Sequence, residues 1–168
     1  MSAPRPADDI RIRRAALTDL DALMALEHRC FAQDAQSRRS MRHLIQRAHG
    51  ELRIAEAGGR LLGYLMLLYR RGTRVARIYS IAVDAQARGR GLARRLIDDA
   101  EQSAKAAGCT RLSAEARLSN TGSRALFAAC GFDETGRLID YYEDTDGGYE
   151  AGVRLGKRLL FDEGSGSP

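Results

Sequence analysis

"DAQARGRGLARRLI", residues 84 to 97, lies where a strand gives way to a helix, and its reading decides the fold. Two glycines, Gly89 and Gly91, and four arginines, Arg88, Arg90, Arg94 and Arg95, crowd this junction. The first amide hydrogens of a helix have no partner inside it and carry partial positive charge. Glycine lets the backbone approach a ligand closely. An anion at such a junction meets donors and dipole together, so phosphate is the natural guest. A Walker loop needs G-x-x-x-x-G-K-S/T, and no such string occurs. The dinucleotide fingerprint G-x-G-x-x-G needs glycine at position 94, where Arg94 stands. The loop by itself leaves open a plainer reading, a glycine-eased turn with solvated arginines.

Outward from the loop, the pattern alternates between strand and helix periods. "RVARIYSIAVD" before it is nearly all apolar, as in a strand at the middle of a sheet. After Gly91, residues Leu92, Leu96, Ile97, Ala100, Ala104 and Ala107 mark one helix face, and Gly108 stops it. "TRLSAEARL" then alternates cleanly, with Leu112, Ala114 and Ala116 on one side and Ser113, Glu115 and Arg117 on the other. "SNTGSRALFAAC" reads as a short helix ended by Gly131, and "FDETGRLIDYY" with "GYEAGVRLG" as a closing hairpin.

Toward the N-terminus, "ELRIAEA", Gly58-Gly59 and "RLLGYLMLLYRR" read as a hairpin. Two helices precede it, one opening with Thr18 as N-cap and one ending at Gly50 as C-cap. "DIRIRRA" (9 to 15) is the first strand. The predicted order is β-α-α-β-β-β-α-β-α-β-β. This is an α/β fold, because hairpins need antiparallel pairs and a strand–helix–strand unit needs a parallel one.

Composition fits one domain. The chain has 168 residues, 29% charged and 44% hydrophobic, with a net charge of +5 carried almost wholly by arginine. We expect a single domain over 9–161 between flexible tails at 1–8 and 162–168. The basic balance suits a polyanionic ligand, but nothing in the pattern calls for direct nucleic-acid binding. Cys30, Cys109 and Cys130 are few, odd in number and widely spaced, which reads as reduced thiols in the cytoplasm. The longest apolar run, residues 61 to 69, is too short for a bilayer, so no membrane is expected. His28, His43 and His49 have no metal-like partner set, and no metal is expected.

"VDAQARGRGLARRLI" resembles the acyl-CoA-binding segment of the GNAT superfamily of N-acetyltransferases. Its pattern R/Q-x-x-G-x-G/A is met by Arg88, Gly91 and Ala93. Gln86, Gly89 and Gly91 fit an earlier register, but the first places Gly91 at the helix start. "LSNTGSRALFAACGF" resembles the second signature, N-x-x-A-x-x-L-Y-x-x-x-G-F, through Asn120, Leu126, Gly131 and Phe132, with Ala125 in a close variant. A glutamate five residues before that asparagine, and the pair Tyr141–Tyr142 after G-F, are similar to the RimI-like ribosomal-protein-alanine acetyltransferases. The likeness spans roughly 9 to 157 and is weakest before Gly50.

The resemblance implies a twisted, mostly antiparallel mixed sheet of about seven strands with about four helices. It implies acetyl-CoA as co-substrate and a protein or peptide N-terminal α-amine as acceptor, in a monomer or weak homodimer. The backbone of Ile81, Ala82 and Val83 would pair with the pantetheine arm. The amides from Arg88 through Gly89, Arg90, Gly91, Leu92 and Ala93 to Arg94 would hold the pyrophosphate. Asn120 would face the cofactor near its sulfur.

Glu115 is the candidate general base, on the strand face opposite the apolar residues. Its alternative is a solvated strand carboxylate. Glu27 on the first helix is a candidate for substrate contact, against a helix-surface charge. Tyr141 and Tyr142 would line the peptide path, or pack at a sheet end. One departure stands out: Phe127 occupies the place of the tyrosine that gives the leaving thiolate its proton. Water, Tyr141 or Tyr142 would substitute, or activity would be low. Small-amine acetylation and a catalytically weak CoA-binding module are the competing functions.

Overall fold

The computed structural model describes residues 9–160, so the two predicted tails lie outside the described residues. The elements follow the predicted order. They are β1 (Arg11–Arg14), α1 (Leu20–Cys30), α2 (Arg38–Gln46), β2 (Gly50–Ala57), β3 (Arg60–Tyr69), β4 (Val75–Val83), α3 (Leu92–Ala106), β5 (Arg111–Arg117), α4 (Thr121–Ala129), β6 (Asp133–Glu143) and β7 (Tyr149–Arg158). The strands form one mixed sheet in the order β1-β2-β3-β4-β5-β7-β6, which places β4 at its middle. Pairs β1/β2, β2/β3, β5/β7 and β6/β7 are antiparallel, and β4/β5 is parallel. Among the described residues no helix is long and apolar enough to cross a membrane.

The described residues divide into two compact units: 9–69 with 78–100, and 70–77 with 101–160. In the first, α1 and α2 bury Leu20, Leu23, Leu26 and Met41 against Leu52, Ile54, Tyr64 and Met66 of β2 and β3. Gly63 makes room for α3 on β3. A Cβ there would stand 2.8 Å from the Ala82 carbonyl oxygen and 3.3 Å from Leu96. In the second, β5 buries Leu112, Ala114 and Ala116, the face its alternation marks. Lys157 donates to the Cys130 carbonyl and to Glu101, both at 2.8 Å, putting a cation at the C-terminus of α4.

Two helix boundaries differ from expectation. Thr18 does not cap α1; it lies inside a 3₁₀ turn, Leu17–Asp19, and the Asp19 carboxylate accepts from the Ala16 amide at 2.7 Å. Gly50 opens β2 rather than closing α2, whose cap is Arg47. A Cβ on Gly50 would fall 2.0 Å from the Leu67 carbonyl oxygen, so this glycine answers a close strand contact.

Candidate active site

The glycine loop forms as its sequence requires. Asp84 ends β4, and its carboxylate accepts from the Gln86 amide at 3.1 Å, winding a 3₁₀ turn over Ala85–Ala87. Gly89 and Gly91 follow with φ of 79° and 70°, left-handed values that other residues adopt only at a cost. A Cβ on either would meet nothing within 4 Å, so the backbone faces open space. The Arg95 amide donates to the Gly91 carbonyl at 3.1 Å, the first bond of α3. The amides of Leu92 and Ala93 therefore belong to the helix's first turn, which has no internal acceptors. The Arg88 amide, first of the run from Arg88 to Arg94, is turned to the Ala85 carbonyl at 3.4 Å. Arg88, Arg90 and Arg94 are exposed, and Leu92 keeps its side chain in the core. On the β2–β3 side an open cavity of about 430 Å³ is lined by Arg60, Gln86 and Arg90, among others.

Asp84 was not singled out from sequence. It is buried, bonded to Arg29 at 2.9 Å and faced by Arg60 at 3.6 Å. The Gln86 amide and these guanidiniums hold its carboxyl below the usual range. An acid between an apolar strand and a glycine loop was the available signal. Next to it, Ile81, Ala82 and Val83 form the C-terminal end of β4. The Cys30 thiol lies 3.6 Å from the Val83 carbonyl.

Glu27 is not a surface charge. It is 2% exposed, accepts from the Gln36 amide at 3.0 Å, and takes the Tyr64 hydroxyl. Tyr64 also meets Ser80 at 2.9 Å. Burial, then Glu27, pushes the Tyr64 hydroxyl well above its ordinary range. Position 27 falls on the helical stripe of Leu20, Leu23, Met24 and Cys30, which was the sign that it points inward.

In the second unit, Glu115 is gripped from two sides. Arg77 of β4 donates to its Oε2 at 2.7 Å, and the Tyr141 hydroxyl donates to the same oxygen at 2.7 Å. Glu115 raises the Tyr141 hydroxyl above its ordinary range, with burial adding to the effect. The Tyr142 ring meets Tyr141 edge-on at 4.9 Å and lies under Arg117 at 4.9 Å; its hydroxyl is pushed up to about 12, mainly by burial. Asn120 caps α4, its side-chain oxygen accepting from the Ser123 amide at 3.0 Å. Phe127 is buried and packs edge-on against Phe132, with centroids 5.0 Å apart. Of the histidines, His49 stacks edge-on with Tyr69 at 5.8 Å.

The profile of the acetyltransferase (GNAT) family matches residues 20–132. The chain belongs to this family. An aminoglycoside N(6')-acetyltransferase of Serratia marcescens is 39% identical over 67 residues, 40% of this chain and 46% of that protein. An N-alpha-acetyltransferase of Arabidopsis thaliana is 40% identical over 55 residues, 33% of this chain and 29% of its own length. The chain thus spans less than half of the curated relatives it matches. Among solved structures, an alanine N-acetyltransferase of a ribosomal protein from Escherichia coli superposes with a TM-score of 0.81. It is 23% identical, with 93% of this chain and 97% of that one covered, a likeness of fold.

Proposed function

We propose that this GNAT protein transfers the acetyl group of acetyl-CoA to the α-amine of a protein or peptide N-terminus. The observation that carries the reading is the Arg77–Glu115–Tyr141 cluster, a carboxylate held in a fixed place on β5. The open backbone at Gly89 and Gly91 fits the co-substrate, since a side chain at either would fill the space a pyrophosphate needs. The amides from Gly89 to Ala93 and the side chains of Arg88, Arg90 and Arg94 would hold that diphosphate. Ile81, Ala82 and Val83 would pair with the pantetheine arm, and an amide at or beside Val83 would polarise the thioester carbonyl. A donor so placed is worth about 3 kcal/mol. Acetyl-CoA supplies the activated acyl group.

Glu115 takes the proton that the amine must lose. An α-amine, with an ordinary pKa of about 7.7 to 8.0, is partly neutral near pH 7, whereas a lysine at about 10.4 is not. Tyr141 and Tyr142 suit a peptide path. The names of the Escherichia coli and Arabidopsis proteins agree with this acceptor. The Serratia relative favours a second reading, a small amine such as an aminoglycoside. A peptide library read by mass spectrometry, run beside aminoglycosides and polyamines, separates them. Acetylated N-termini support the first reading, and acetylated small amines alone replace it with the second.

A further inference from the structure

We propose that Asp84 is the positioning residue of the glycine loop, fixing it through the Gln86 amide in the shape that receives the diphosphate. This rests on the acetyl-transfer reading above. Asp84 and Glu27 are the two buried acids among the described residues. Glu27 is occupied by Gln36 and Tyr64, whereas Asp84 turns toward the loop.

A bare carboxylate at the entry to an anion site would repel the guest. The structure cancels that charge from two sides. Arg29 of α1 bonds Oδ2 of Asp84 at 2.9 Å, and Arg60 of β3 faces the same oxygen at 3.6 Å. One carboxylate between two guanidiniums leaves a positive charge over. Oδ1 accepts from the Gln86 amide at 3.1 Å. The charge is thus met on one oxygen, and the other oxygen shapes the backbone.

The loop needs an anchor of this kind. Gly89 and Gly91 hold left-handed values that glycine is free to leave, and a loop that orders only on binding loses affinity. Ahead of them the chain is tied down. The Asp84 amide donates to the Leu62 carbonyl at 2.8 Å, and the Ala87 amide to the Asp84 carbonyl at 2.9 Å. Ala87 is buried, so the turn over Ala85–Ala87 also rests on the core. The carboxylate closes that turn from inside, and the chain enters the glycines from a fixed point. The bond from the Arg95 amide to the Gly91 carbonyl fixes the far end. Residues 29, 60, 62 and 84–95 all belong to the first compact unit.

Charge and hydrogen bond predict opposite results. Asp84→Ala removes both. Asp84→Asn keeps an oxygen for the Gln86 amide and removes only the charge, which by itself favours an anion. Calorimetric binding of CoA to the full chain, with initial-rate kinetics, reads the difference. Asp84→Ala is expected to bind CoA about tenfold more weakly, as one lost hydrogen bond to a charged group allows. Its KM for acetyl-CoA should rise by the same factor, with kcat per folded molecule within about twofold of wild type. Asp84→Asn should bind CoA as tightly as wild type, or more so. If wild type binds no CoA, the acetyl-transfer reading fails and the positioning role with it. If wild type binds CoA but Asp84→Ala binds it equally well, or loses kcat at unchanged KM, the positioning role alone falls. Asp84→Asn as weak as Asp84→Ala also overturns it, because the ion pairs and not the Gln86 bond would then set the loop. Asp84→Leu, of similar size and with no acceptor, carries the same expectation as Asp84→Ala and replaces it where alanine does not fold.

Discussion

Glu115→Gln is the sharpest perturbation of the site. It preserves size and leaves an amide oxygen to accept from Tyr141, but removes the charge facing Arg77 at 2.7 Å. That ion pair is partly exposed, with side chains 40% and 19% accessible. Such a pair contributes about 0–1 kcal/mol, so the melting temperature should fall by no more than about 4 °C. The effect on catalysis is larger. A positioned base contributes about 10²- to 10⁴-fold, and the low end suits an amine already partly neutral. We expect kcat to fall about 10²-fold at pH 7, about 2.7 kcal/mol of barrier, with CoA affinity within about twofold of wild type.

The deficit should also depend on pH. The neutral fraction of an α-amine rises from about 0.1 at pH 7 to about 0.9 at pH 9. The variant must wait for neutral amine, whereas wild type strips the proton beside Glu115. The gap should therefore narrow several-fold over that range. Thiol release from acetyl-CoA and an accepted peptide, followed from pH 6.5 to 9, measures this. A variant within twofold of wild type at pH 7, or a gap that stays constant with pH, would refute Glu115 as the base.

Three further outcomes follow from the structure. Gly91→Ala forces alanine to φ of 70° at a cost of about 1–2 kcal/mol and puts a methyl into the open space beside the loop; if the loop holds the diphosphate as proposed, the KM for acetyl-CoA should rise about tenfold, measurable in initial-rate kinetics. Glu27→Ala strands the Gln36 amide, worth about 1–3 kcal/mol, and costs Tyr64 one of its two partners, about 1 kcal/mol more, leaving it Ser80; a thermal melt should drop by about 8 °C, and Glu27→Gln by clearly less. Arg13 bonds Asp19 and Glu56 and holds both carboxyls below their usual range. Depressed folded values stabilise above the unfolded carboxyl range, and the gain is lost as pH falls through the folded values. Acid unfolding of Arg13→Ala, followed by circular dichroism, should therefore begin at higher pH than in wild type.

The order of strands and helices was legible along the chain because each element carries its own period and its own stop. Gly91 and Gly108 bracket α3, and β5 alternates without a fault. The glycine loop was legible for a related reason: a left-handed backbone facing open space asks for glycine locally, whatever packs elsewhere. Close contacts were not. Gly50 looked like a helix stop because its true constraint, the carbonyl of Leu67, comes from a strand seventeen residues on.

The amino-acid order alone determined the α/β class, the sequence of elements, the glycine loop at the start of α3 and Glu115 as a candidate. Tertiary structure alone decided what the polar side chains face. Glu27 became a buried acceptor because Tyr64 reaches it from β3, and Glu115 acquired Arg77 and Tyr141 from two other strands. The physical reason is range. Periodicity and backbone conformation are set by neighbours a few residues apart. The partner of a charge, and the register of a bulge such as 139 to 141, are set by strands that meet only once the sheet is assembled.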